Sequence, residues 1–114
     1  MKTFRRGQIW LVNFDPSYGH EYQKVRPGLI IQNDEYIEQS SLLTILPISS
    51  QISKQSTLDI LIERDQTNRL AKDSLVKTKQ ISSFDKRRFF KYIGEINHEV
   101  MQKIIINLQR YLQV

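Results

Sequence analysis

The chain has 114 residues, of which 17 are basic and 12 acidic, for a formal net charge of +5; that is enough for one domain with its own core and too little for two. It has no cysteine, which excludes disulfides, thiolate catalysis and cysteine-bound structural zinc and fits a reducing cytoplasm. No apolar run nears the roughly 20 residues that cross a bilayer, and the opening MKTFRRGQIWLVNFD reaches Asn13 and Asp15 too soon for a secretory signal, so the expectation is a single cytoplasmic domain, residues 1–114, with no membrane contact.

The first element is QIWLVNF (8–14), rich in aromatic and branched side chains and closed by the turn signal DPSYG, which predicts a strand. Trp10 and Phe14 share a parity on it and are candidates for core or dimer contacts. PGLIIQN (27–33) predicts a second strand, with Pro27 in the first position, where a missing N–H does least harm. DEYIEQS (34–40) has no clear period and reads as a loop or a single helical turn. LLTILPI (42–48) predicts a third, largely buried strand, with Pro47 arguing for an edge or a bulge near its end.

TLDILI (57–62) alternates weakly and predicts a fourth strand. SLVKTKQIS (74–82) alternates more cleanly, Leu75, Lys77 and Lys79 against Ser74, Val76, Thr78 and Gln80, and predicts a fifth. FFKYIGEI (89–96) is a sixth candidate strand or an extended lead-in to the last segment. The last segment differs in kind: Val100, Met101, Ile104, Ile105, Leu108, Tyr111 and Leu112 recur at steps of three and four, behind Asn97 as an N-cap and Glu99 at the positive helix end. Several short strands and one amphipathic C-terminal helix predict a mainly β, α+β fold built on a small, strongly curved sheet or barrel.

A compact basic domain attracts polyanions, because each phosphate contact releases condensed counterions; a mildly basic surface also serves solubility alone. Lys72, Lys77, Lys79, Lys86, Arg87, Arg88 and Lys91 lie within one short region, which makes the field lopsided. The common enzyme signatures are missing. The four glycines form no phosphate-binding loop, no Gly-x-Ser-x-Gly elbow is present, and the two histidines stand too far apart for a His-Glu-x-x-His site.

What is present is a spaced set: RRGQIWLVNFDPSYGHEYQKVRPGLIIQND, then LLTILPISSQ, then DSLVKTKQISSFDKRRFFKYIGEI. Together these blocks resemble the MazF/PemK family of bacterial toxins, ribosome-independent mRNA interferases, over nearly the whole chain and in the family's order. The resemblance implies an SH3-like β-barrel with a C-terminal helix, acting as a homodimer and cleaving single-stranded RNA at short sequences without metal or other cofactor. It also implies a cognate, MazE-like antitoxin whose acidic, disordered tail lies across the RNA-binding surface. Residue by residue, Arg26 matches the family's catalytic arginine before a proline, and Ser49 stands where the second catalytic residue is usually a threonine. Glu21 matches the glutamate of the loop between the first two strands. Ser82 stands where an arginine is often found.

Metal-free RNA cleavage can use the substrate's own 2′-hydroxyl as nucleophile, and then needs a base for that proton, an acid for the leaving oxygen and a stabiliser for charge on the phosphorane. A guanidinium suits the last role, being planar, charged at neutral pH and able to donate two parallel bonds to phosphate oxygens. A proline after Arg26 restricts its backbone, and the following strand anchors it. Ser49 keeps the hydroxyl of the threonine it replaces, with a freer rotamer. His20 and Glu21 are both candidates for the base. Tyr18, His20 and Tyr22 are placed to stack on unpaired bases; Lys24, Lys54 and Lys79 are candidates for the RNA backbone, and Ser50, Gln51 and Gln80 for the remaining substrate contacts. Other readings stand beside this one: a gyrase-poisoning toxin of the CcdB type, a degenerate barrel that binds RNA without cutting it, and a nuclease dependent on His20. Arg26 as a plain surface ion-pair partner and Ser49 and Ser50 as ordinary turn serines are the simplest accounts of those residues taken singly.

Overall fold

The computed structural model describes residues 2–14 and 25–114. Among the described residues seven antiparallel strands follow in order: β1 (Gln8–Asn13), β2 (Val25–Ile30), β3 (Leu42–Ser49), β4 (Ile60–Ile62), β5 (Ser74–Val76), β6 (Ser82–Asp85) and β7 (Phe89–Glu95), and helix α1 (His98–Leu112) comes after them. Along the sheet the order is β4-β5-β3-β2-β1-β7, while β6 pairs with β3 beside that path. The path is open, with β4 and β7 at its ends. Two register shifts between β1 and β7, at Ile9/Trp10 and Leu11/Val12, bend this side of the sheet. The result is the mainly antiparallel, curved and barrel-like sheet with one C-terminal helix that the strand pattern predicts. No helix among the described residues is long and apolar enough to cross a membrane.

Period-two alternation sends each strand's side chains to two faces, and the core divides accordingly. On one face Ile9, Leu29, Leu46, Ile48 and Val76 pack with Met101, Ile104 and Leu108 of α1. On the other, Trp10, Val12 and Phe14 join Ile30, Leu43, Ile45 and Phe89. Burying a side chain of this size contributes about 1.5–3 kcal/mol, so the three inward residues of α1 fasten the helix more firmly than its cap does. The cap is nonetheless made as the sequence predicts: Asn97 Oδ1 accepts from Val100 N at 2.8 Å.

Several boundaries differ from the sequence reading. β2 begins at Val25, so Pro27 is its third residue and Arg26 lies within the strand. Asp34–Tyr36 forms the single helical turn that was one of two options for that segment. β3 is not an edge strand: it pairs with β2 on one side and with both β6 and β5 on the other. Pro47 falls in the gap between the run paired with β6 (Leu42–Ile45) and the run paired with β5 (Ile48–Ser49), a place where its absent N–H breaks no rung on that side. The fourth strand is shorter than predicted, starting at Ile60. The fifth ends at Val76 and gives way to a 3-10 turn, Thr78–Gln80, under α1. β6 was not foreseen.

Candidate active site

Arg26 is carried by β2, half-buried and paired with Val12 of β1. On the other side of β2 the register with β3 runs Ile30↔Ile45, Leu29↔Leu46, Gly28↔Pro47. Arg26 is thus two residues beyond Gly28, and Ser49 two residues beyond Pro47, at the same end of the same strand pair and with the same side-chain parity. Gly28, two residues along β2 from Arg26, is fixed by packing: a Cβ there would meet Ile45 Cδ1 at 2.9 Å and Val12 Cγ2 at 3.1 Å. With the position next to it bare of side chain, the Arg26 stem rises from a stretch of sheet where neighbouring side chains are closely packed.

Ser49 is buried, and its Oγ accepts a hydrogen bond from Gln51 N at 3.2 Å. Since the oxygen is already acting as an acceptor, the hydroxyl proton is the part left to donate elsewhere. Beyond Ser49 the chain makes an excursion over residues 50–59. Ser50, Gln51 and Lys54 are exposed on it, Lys54 closing a 3-10 turn from Ile52. Lys79 and Gln80 belong to the Thr78–Gln80 turn, which follows β5, the partner of β3 at Ser49. Lys79 Nζ donates to Thr57 Oγ1 at 3.1 Å, joining this turn to the excursion. Ser82 Oγ donates to the carbonyl of Gln80 at 3.0 Å, so the residue in the expected arginine position secures the same turn.

Of the predicted site residues, then, Arg26 and Ser49 end one strand pair, and Ser50, Gln51, Lys54, Lys79 and Gln80 lie on the two segments that continue from Ser49 and from its partner strand. Tyr18, His20, Glu21 and Lys24 lie outside the described residues, as does Tyr22. The sequence reading missed the residues that join the two segments. Asp59 is buried, and its Oδ2 accepts from Lys77 Nζ at 2.6 Å, from Ser56 N at 2.9 Å and from Ser56 Oγ at 3.2 Å. The available signal was a lone aspartate inside the otherwise apolar run LDILI and a lysine continuing the alternation of SLVKTKQ.

Much of the basic run is engaged within the protein. Lys77 is held by Asp59; Lys86 Nζ donates to the carbonyl of Ile37 at 2.6 Å; Arg87 pairs with Asp85 at 3.0 Å; Arg88 Nη1 donates to the carbonyl of Asn13 at 3.1 Å. The carboxylate partners of Lys77 and Arg87 offset part of the charge that this run offers a polyanion. Among the described residues, no three His, Cys, Asp or Glu side chains gather where they would hold a metal ion. A cavity of about 230 Å³ between β4 and the start of α1, lined by Leu61, Glu63, Asp65, Asn97 and Val100 among others, includes none of the predicted residues.

Comparison with known proteins gives a consistent result. The family described as the PemK-like, MazF-like toxin of type II toxin–antitoxin systems matches residues 5–112. The chain is similar to Endoribonuclease MazF9 of Mycobacterium tuberculosis, 27% identical over 115 residues, covering 96% of this chain and 97% of that protein. Among solved structures it is similar to MazF from Deinococcus radiodurans, with a TM-score of 0.84, 22% identity and full coverage of both chains. It is also similar to an endoribonuclease from a Mycobacterial species in complex with its cognate antitoxin, with a TM-score of 0.80 and 19% identity, covering 98% of this chain and 97% of that one. At those identities the two structures speak for the fold.

Proposed function

The chain belongs to the PemK-like, MazF-like family of type II toxins, and from that premise we propose that it is an endoribonuclease that cuts single-stranded RNA at short sequences, with Arg26 and Ser49 at its catalytic centre. The observation that carries this reading is the register of β2 on β3, which sets the arginine and the hydroxyl at one end of one strand pair, each two residues past Gly28↔Pro47.

In this reading the RNA's own 2′-hydroxyl attacks the adjacent phosphorus, the P–O5′ bond breaks as its oxygen takes a proton from water, and the products are a 2′,3′-cyclic phosphate and a 5′-hydroxyl. Arg26 donates to the non-bridging oxygens as charge grows on the phosphorane. Its value lies in being already in place, since a donor that does not reorganise during reaction stabilises the transition state most. Ser49, whose oxygen receives the Gln51 N–H, turns its proton toward the same phosphate. The guanidinium is a poor base at neutral pH, so the 2′ proton goes to Glu21 or His20, which lie in sequence between β1 and β2.

Lys54 and Lys79 hold the flanking phosphates, while Ser50, Gln51 and Gln80 reach unpaired bases; Tyr18, His20 and Tyr22 stack on bases, with Lys24 on the backbone. This division follows the general rule that single-stranded RNA is read by stacking and by the edges of splayed bases. The protein works as a homodimeric single domain in the cytoplasm. Its partner is a cognate antitoxin with an acidic C-terminal tail, attracted to the same lysines; solved relatives include an endoribonuclease bound to its antitoxin and a MazE–MazF pair from Deinococcus radiodurans.

The test is to incubate pure protein with a mixed RNA pool in chelator and to sequence the new ends. The expected result is a short common motif at the cuts, with 5′-hydroxyl and cyclic-phosphate termini. Intact RNA, or cutting that needs an added divalent ion, would contradict the proposal.

A further inference from the structure

Two segments leave the antiparallel β3–β5 pair at its opposite ends, one past Ser49 and one past Val76. One is the excursion 50–59; the other is the Thr78–Gln80 turn. One buried ion pair joins them. Lys77 Nζ and Asp59 Oδ2 are 2.6 Å apart, with side chains 12% and 1% exposed. At the Lys77 end, the backbone N–H donates to the carbonyl of Pro47 at 2.9 Å, and the carbonyl accepts from Gln80 N at 3.0 Å. Lys77 is thus tied to β3 two residues before Ser49 and is the anchor of the turn that carries Lys79 and Gln80. At the Asp59 end, the same carboxylate oxygen accepts from both the N–H and the hydroxyl of Ser56. Leu58, just before it, has a left-handed φ of 71°, strained for a residue with a branched side chain. Its carbonyl is held by Asn107 Nδ2 of α1 at 3.0 Å.

A carboxylate this buried is costly to hold charged unless it is paired. Its second oxygen, Oδ1, is buried with no hydrogen-bond partner among the described residues, so within them the pair is not fully compensated and is a weak device for stability alone. What it does achieve is geometry: with the Lys79–Thr57 hydrogen bond, it closes the Ser56–Asp59 end of the excursion onto the turn that carries Lys79 and Gln80. We propose that the Asp59–Lys77 pair is a positioning element that sets which RNA sequence the site accepts, by fixing the spacing of the two segments. This rests on the nuclease reading above. Neither residue touches substrate; both act through the side chains they hold in place, where displacements of about 1 Å are enough to change rates a hundredfold.

The experiment compares Lys77→Met, Lys77→Arg and the double variant Asp59→Leu/Lys77→Met. The double variant leaves no unpaired buried charge, and such replacements are commonly neutral for stability. The readout is the ratio of cleavage rates at the preferred sequence and at a one-base variant of it. Partial unfolding lowers both rates together and leaves that ratio alone. Amide hydrogen exchange over residues 50–58 is measured on the same proteins. The expected result is a ratio reduced roughly tenfold or more, with faster exchange, in Lys77→Met and in the double variant, and recovery of both in Lys77→Arg. A folded double variant with the wild-type ratio overturns the proposal, whatever its exchange rates. A double variant that does not fold also overturns it, in favour of a purely structural pair. Should the wild-type protein cut no RNA, the nuclease reading fails on its own and the specificity role with it. Exchange over 50–58 then still shows whether the pair orders that segment.

Discussion

Gly28 of β2 pairs with Pro47 of β3, the end of the register between these two strands, and the residues proposed for catalysis lie two positions beyond it on each strand. Glycine and proline are both residues that a sheet interior ordinarily avoids. Here Gly28 leaves room for Ile45 and Val12 to close over the strand, and Pro47 stands where β3 changes partner from β6 to β5. The end of the ladder is therefore closely packed beneath Arg26 and Ser49.

That packing is testable by adding one methyl group. Gly28→Ala pushes a Cβ against the outer atoms of Ile45 and Val12, which can give by a few tenths of an ångström, and should cost about 1–3 kcal/mol. Gly94→Ala meets the backbone oxygens of Thr67 and Asn68, both at 2.5 Å, and these belong to a chain segment that is itself held by Glu95 N to Thr67 O at 3.0 Å. Thermal unfolding should show the larger loss at Gly94. Cleavage per folded molecule should fall for Gly28→Ala and stay unchanged for Gly94→Ala.

Ser49 is expected to act through its hydroxyl. Ser49→Ala should lower single-turnover cleavage by roughly 10²–10³, the usual effect of removing one preorganised donor, with binding of uncleaved RNA little altered. Ser49→Thr restores the hydroxyl and should lie within about tenfold of the wild type. Equal rates for Ser49→Ala and wild type would remove this residue from the mechanism.

The Asp85–Arg87 pair makes a pH prediction away from the site. Hydrogen bonds from the Arg87 side chain and backbone hold the Asp85 carboxyl at about 2, below its ordinary 3.8. A carboxyl depressed by folding favours the folded state fully above its unfolded value, and that contribution disappears as the pH falls from 3.8 through about 2. Both groups reach solvent, so salt weakens the effect. Carboxyl-detected NMR should find the Asp85 midpoint near 2 and see it rise toward 3.8 in Arg87→Gln. A midpoint of 3.8 in the wild type contradicts the pairing.

Asn97→Ala removes the acceptor for Val100 N and should lower stability by about 1 kcal/mol, the usual value of an N-cap. Denaturant unfolding checks the figure, and RNA cleavage should be unaffected.

The sequence was readable where signals are local. α1 has its cap and its apolar spacing within a few residues of each other, and β1 has aromatic and branched residues bounded by Asp-Pro. β5 was drawn too long because alternation continues through Lys77 and Lys79, although these side chains turn to Asp59 and Thr57 instead of to a sheet face. β6 was missed because SSFD carries no apolar pattern: it is a strand by virtue of β3, through Leu43↔Phe84 and the 2.7 Å contact of Thr44 Oγ1 with Ser83 Oγ. The candidate site was legible through family resemblance alone, since nothing local relates Arg26 to Ser49; that relation is a matter of strand register. Asp59 and Lys77 were out of reach for the same reason, being distant in sequence and joined by the fold.

The most direct test of the central claim is the single-turnover cleavage rate of Arg26 variants on a defined single-stranded RNA. Arg26→Ala should lose roughly 10²–10³ or more, and Arg26→Lys should recover a part of it, since an ammonium supplies the charge without the two-pronged geometry. An Arg26→Ala protein that folds and cuts that RNA at the wild-type rate would contradict the account.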